Sequence, residues 1–269
     1  MIKNSRPFSI ERNMIMKNGY ETIHQIQITR SIKEGKVKYS FGATDAYGNL
    51  IKKIIKKVLQ KKEKCLFFEA GVGTGKIINS IAGLQNVTAM GCDVYINEEL
   101  KKSDLMIYEC TIYEALRKLN DKSIDVFYWN DVIEHIPEDE IEDYLKLLQN
   151  KMNVGGIIIT ITPNRIKGPC DVTSHFEPRG TIAKGFHFHE YTFYEIIKMF
   201  QKYNFESVYG FLGYAGKGLY ILGFTKIIDK IKFLTEVISI IFPYFLKKIL
   251  ITITGCDVSI IKNIKKNDT

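Results

Sequence analysis

The sequence predicts an α/β protein built on a mostly parallel sheet with helices on both faces. Five short apolar runs, at residues 65–68, 87–91, 105–108, 126–129 and 157–161, read as strands, and helical stretches separate several of them. Alternating strands and helices form a parallel sheet covered on both sides. A glycine-rich segment follows the first run directly, where sheets of this kind turn into a helix and meet a ligand. The chain has 269 residues, 45% of them hydrophobic and 25% charged, enough to bury a sizeable core. Disorder, collagen and a disulfide-stapled miniprotein are excluded.

Along the chain, residues 21–29 and 37–41 read as two short strands around the turn Glu34-Gly35-Lys36. From Leu50, the apolar residues Leu50, Ile51, Ile54, Ile55, Val58 and Leu59 recur at helical spacing, with lysines on the other face. That is an amphipathic helix with a solvated lysine face. The helix after the fourth strand is expected to open at Pro137 and to bury Ile141, Tyr144, Leu145 and Leu148. Thr192 and Glu195 form a capping box ahead of Ile196, Ile197, Met199 and Phe200. In the tail, residues 227–253 repeat at helical spacing with a break at Pro243, predicting helices packed on the sheet or on a dimer surface. Residues 256–262 read as a last strand completing the sheet.

Charge is unevenly spread. Residues 1–64 carry 15 Lys/Arg against 5 Asp/Glu, residues 65–225 carry 15 against 21, and residues 226–269 carry 8 against 4. An acidic middle disfavours a nucleic-acid partner, whose phosphates call for a basic groove. The +4 tail keeps peripheral membrane contact as a secondary reading. Five cysteines without a CxxC pair suggest neither disulfides nor a zinc ribbon. The opening residues carry no continuous apolar signal segment, so a cytoplasmic location is expected. The most apolar stretch, 237–246, is ten residues long, whereas a membrane span needs about 20.

The sharpest motif is Glu69-Ala70-Gly71-Val72-Gly73-Thr74-Gly75. A P-loop nearly fits residues 70–76, but Ile77 stands where magnesium needs a Ser or Thr hydroxyl. A dinucleotide site wants GxGxxG, and Glu69 would repel its pyrophosphate. The segment resembles instead the ExGxGxG loop of class I S-adenosylmethionine-dependent methyltransferases. Residues 125–136 look like that family's D-x-x-x-x-x-D-V-x-E-H-x fourth strand, and 155–164 like its fifth strand and loop. The resemblance runs from about residue 65 to 210. It implies a Rossmann-like, seven-stranded fold with S-adenosyl-L-methionine as cofactor. It also implies that Glu69 faces the methionyl amino end and that Gly71, Gly73 and Gly75 allow close approach. Asp93, 18 residues after Gly75, would hold the ribose hydroxyls. Cys110 and Thr111 would meet the adenine, and Asn130 would pass beneath the cofactor.

A narrower resemblance joins residues 163–165, 168–172 and 185–192 to a bacterial subgroup of small methyltransferases, which has a His where this chain has Cys170. Asp131, Glu134 and His135 resemble the DxxEH set that binds magnesium in ubiquinone-pathway O-methyltransferases. The same string also serves as a strand-to-helix connection whose carboxylates cap amides, the preferred reading, and no metal is expected. His187 and His189 share one face of an extended segment with Tyr191, and zinc would need two further ligands. The segment reads as a lid whose aromatics, including Phe186 and Phe188, cover the cofactor, with His187 as general base.

The expected organisation is an N-terminal extension at 1–45, a core at 46–225 with an insertion at 163–192, and C-terminal helices with a last strand at 226–269. The expected function is methyl transfer to a small-molecule acceptor at oxygen. The rivals are an RNA or protein methyltransferase and a non-catalytic S-adenosylmethionine-binding protein. A nitrogen-methylating NPPY-like motif does not stand at residues 130–133.

Overall fold

The computed structural model describes residues 45–175, 177–185, 187–213 and 220–264, so the strands expected at 21–29 and 37–41, and Phe186, lie outside the described residues. The chain runs α1 (Asp45–Leu59), β1 (Cys65–Ala70), α2 (Lys76–Ala82), β2 (Val87–Asp93), α3 (Glu98–Lys101), β3 (Met106–Glu109) and α4 (Ile112–Lys118). It continues through β4 (Ile124–Asn130), α5 (Ile141–Lys151), β5 (Met152–Ile161), α6 (Phe193–Gln201), β6 (Phe205–Ser207), β7 (Phe211–Gly213) and β8 (Tyr220–Leu222). It ends with α7 (Thr225–Ser239), α8 (Tyr244–Thr254) and β9 (Val258–Asn263).

Seven strands form one sheet in the order β3-β2-β1-β4-β5-β9-β6. Strands β1 to β5 pair in parallel, and β9 runs antiparallel between β5 and β6. On one face α1 buries Leu50, Ile51, Ile54 and Ile55 beside Ile77 and Ile81 of α2, against Phe67, Val126 and Ile159. Each such side chain contributes about 2 kcal/mol of burial, and the lysine face of α1 stays outside. On the other face Leu116, Leu145, Leu148, Ile196 and Phe200 cover Phe68, Phe127 and Trp129. The Trp129 indole, buried with them, donates to Thr160 Oγ1 at 2.6 Å.

Several boundaries differ from those the sequence predicts, each for a local reason. Strand β1 extends through Glu69 because Glu69 and Ala70 pair with both β2 and β4. Helix α5 begins at Ile141 and not at Pro137, since the Pro137 carbonyl first closes a turn with the amides of Glu140 and Ile141. The DVIEH segment folds as a 3₁₀ turn, Ile133–His135. The capping box at Thr192 and Glu195 forms as expected. The tail helices break around Pro243, but α7 turns Lys232, Glu236 and Ser239 inward and Ile227, Ile231 and Leu234 outward. Helical spacing locates an apolar stripe without fixing the side on which the core lies.

Candidate functional site

Strand order reverses between β1 and β4, and the carboxyl ends of strands at such a switch point form a ligand crevice. The loop after β1 enters it. Gly71 takes φ 76°, and a Cβ there would stand 2.6 Å from Val132 Cγ2 of the loop after β4. The amides of Gly71 and Val72 both donate to the Cys92 carbonyl, at 2.8 and 3.1 Å, fixing the loop to the end of β2. Gly73 differs in its surroundings: a Cβ there meets nothing within 4 Å, so the loop opens to free space at that residue.

Two carboxylates flank this opening. Glu69 is buried beneath the loop, where burial pushes its carboxyl well above the usual range and the Ile78 amide of α2 opposes that shift. Its Oε2 is buried with no hydrogen-bond partner among the described residues. Asp93 accepts from the Gly73 amide at 2.8 Å and from the Tyr95 amide at 3.3 Å. Cys110 lies alongside, its amide donating to the Asp93 carbonyl at 2.9 Å. The polar groups of Thr111 are taken up in a capping box with Glu114 that starts α4. Asn130 ends β4, with its amide nitrogen on Asp131 at 3.0 Å and its Oδ1 buried without a partner among the described residues.

A second group of polar side chains gathers at the ends of β4 and β5. Glu134 is fully buried, accepts from Thr162 Oγ1 at 2.9 Å and leaves Oε1 unpartnered among the described residues. Burial pushes its carboxyl well above the usual range, and Asp131 adds to the shift. The Glu134 carbonyl accepts from the Phe188 amide at 2.8 Å, tying Phe188 to the turn after β4. His187 Nδ1 lies 2.8 Å from Glu190 Oε1, and its ring meets that of His135 edge-on at 4.9 Å. Buried Glu190 also accepts from the Cys170 amide at 2.6 Å. Lys167 pairs with Asp257, the residue before the tail strand β9, at 2.5 Å.

Among the described residues, Glu134, His135 and His187 can each offer a ligand atom within 4.8 Å of the others. The sequence pairs Glu134 and His135 with Asp131; the fold substitutes His187. Asp125, first in the same string, lies at the opposite end of the sheet, where it accepts from the Leu66 amide at 2.9 Å and from Asn153 at 2.8 Å. Sequence reasoning missed Glu190, Asp257, Lys167 and Thr162. Glu190 carries a signal of its own, as an acid among aromatics three residues after His187. Asp257 carries none, because only the tail's return into the sheet brings it here.

Burial, with Asp257 beside it, raises the Asp131 carboxyl from 3.8 to about 6. The folded protein therefore holds this proton more tightly than the unfolded chain. The resulting stabilisation is complete below pH ~4 and is lost as pH rises through 6. Asp131→Asn suits the local φ of 52°, which asparagine tolerates, and should flatten stability between pH ~4 and 6. Urea titrations across that range check this, and an unchanged pH slope in the variant would refute it.

Neither family models nor curated proteins match the chain. Among solved structures it is similar to the Burkholderia thailandensis 1,6-didemethyltoxoflavin-N1-methyltransferase, at 13% identity and TM-score 0.51, over 93% of this chain and 91% of that one. It is also similar to a Methanosarcina mazei SAM-dependent methyltransferase, at 16% identity and TM-score 0.48, over 79% of this chain and 98% of that one. With its sheet order and antiparallel β9, the chain has the Rossmann-like class I methyltransferase fold.

Proposed function

We propose that the chain is an S-adenosylmethionine-dependent methyltransferase acting on a small-molecule acceptor at oxygen. The observation that carries this reading is the buried, unpartnered Oε2 of Glu69 at the head of a glycine loop that opens at Gly73. A buried carboxylate oxygen without a donor is costly, and a cationic amino group supplies the missing donor. Asp93, bonded to the Gly73 amide, serves as the acceptor for paired hydroxyls. The Burkholderia neighbour, described with S-adenosylhomocysteine and a small-molecule substrate bound, supports the same cofactor and acceptor class.

The cofactor, when bound, supplies an electrophilic sulfonium methyl, so the protein's own work is alignment, desolvation and proton removal. The last of these falls to His187 in this reading. With Nδ1 bonded to Glu190 at 2.8 Å, Nε2 is the ring atom left to take the proton of a hydroxyl acceptor. Glu190 thereby acts as a positioning residue.

Calorimetry tests the reading. S-adenosylmethionine and S-adenosylhomocysteine should bind, while NAD and ATP should not. Asp93→Ala, which removes a charge-assisted acceptor worth ~1.5 to 3 kcal/mol, should weaken cofactor binding about tenfold or more. Tight ATP binding with no response to S-adenosylhomocysteine would sink the proposal.

A further inference from the structure

Helix α7 is amphipathic with its apolar side outward. Ile227, Ile231, Leu234 and Ile238 follow one another at spacings of four and three, the pattern of a single stripe, and all are exposed, Leu234 at 56%, as is Ile241 in the turn after the helix, at 81%. The opposite face buries Ile228, Lys232, Glu236 and Ser239. This orientation is fixed by bonds. Glu236 accepts from Asn164 Nδ2 at 2.7 Å and from the amides of Phe193 and Tyr194 at 2.6 and 3.2 Å. Lys232 donates to the Val258 carbonyl at 2.6 Å and lies over the Phe193 ring. Rotating α7 to bury its isoleucines would strand two charged groups, so the apolar face stays outside. Helix α8, which packs against α7, exposes Phe245, Ile249 and Ile253 at spacings of four.

The charges identify what covers this surface. The exposed charged residues of the two helices are Lys226, Lys230 and Lys248, while the acids Asp229 and Glu236 are partly or fully buried. A second copy docking by two-fold symmetry would set lysines against lysines. Residues 1–44, with 8 Lys/Arg against 3 Asp/Glu, are repelled for the same reason. Exposed Ile, Leu and Phe with a lysine-only rim match an anionic lipid surface. No helix among the described residues is long and apolar enough to cross a membrane, so the pair lies on the surface.

We infer that the α7–α8 hairpin docks the protein on an anionic membrane surface. The docking reaches the candidate site through two links. Asn164, at the start of the 163–192 insertion, bonds Glu236, and Arg179 within it donates to the Tyr244 hydroxyl at 3.3 Å and stacks on that ring. The insertion carrying His187 is thus tied to the surface-bound hairpin, an arrangement suited to an acceptor presented at the lipid interface. The docking itself does not depend on the methyltransferase reading.

Co-sedimentation of the full chain with vesicles tests it. Binding should be at least about tenfold stronger to mixed phosphatidylglycerol–phosphatidylcholine vesicles than to phosphatidylcholine alone, and should weaken with added salt. Ile231→Glu with Ile241→Glu should reduce binding about tenfold or more, as should Lys226→Gln, Lys230→Gln and Lys248→Gln together. All five positions are exposed, so unfolding transitions and S-adenosylhomocysteine calorimetry should match the parent protein. Absence of vesicle binding by the parent chain would overturn the inference, as would binding indifferent to both sets of substitutions. A solution dimer that the Ile231→Glu/Ile241→Glu pair abolishes, with no vesicle binding, would assign the face to a second copy.

Discussion

His187→Ala is expected to lower turnover by ~10² or more while leaving cofactor affinity nearly unchanged, the signature of a lost general base on the acceptor side. The imidazole is held by Glu190 at 2.8 Å. Glu190→Gln should act through it, lowering turnover with cofactor affinity nearly unchanged, because the imidazole loses the carboxylate that orients it. The cluster of Glu134, His135 and His187 offers the competing explanation, in which the same histidine holds a metal ion. The two diverge under chelation. If His187 is a base, EDTA leaves activity intact and His187→Ala remains severely impaired. Activity that vanishes with EDTA and returns with Mg²⁺, together with a mild His187→Ala phenotype, would transfer the chemistry to the Glu134–His135 cluster.

Much of the sheet is legible because its strands are buried on both faces and therefore read as continuous apolar runs, as in Phe67–Phe68 and Ile157–Ile159. The glycine loop is legible for a different reason: positive φ at Gly71, Gly73 and Gly75 leaves glycine as the residue that fits. The acceptor side is less so. Asp131 and Asp257 are far apart in sequence and meet only because β9 returns beside β5, a pairing that short-range periodicity does not encode. Thr111 illustrates the reverse problem, since its place after the third strand suits a cofactor contact while its hydroxyl and amide are consumed in starting a helix. Lys232 and Glu236 look like a solvated helix face, and the core takes them because the Val258 carbonyl and the α6 amides are waiting there.

The two central glycines of the loop should fail in different ways when each is replaced by alanine. At Gly71 the left-handed φ of 76° costs ~1 to 2 kcal/mol for any L side chain. The new methyl would also meet Val132 Cγ2 at 2.6 Å, and valine, stiff about χ1, yields little. Moving the loop away breaks the two amide bonds to the Cys92 carbonyl, at about 1 kcal/mol each. Gly71→Ala is therefore expected to destabilise the fold by ~2 to 4 kcal/mol, read as a lower urea midpoint with unchanged slope. At Gly73 φ is 50° and no atom lies within 4 Å of a built Cβ, so only the backbone cost of ~1 to 2 kcal/mol remains. Its methyl projects instead into open space beside the Gly73 amide that Asp93 accepts from. Gly73→Ala should thus keep a cooperative unfolding transition yet bind S-adenosylhomocysteine about tenfold or more weakly, since a methyl in the ligand's path forfeits close approach. A Gly73→Ala protein that binds it as the parent does would show that the ligand does not lie against this loop.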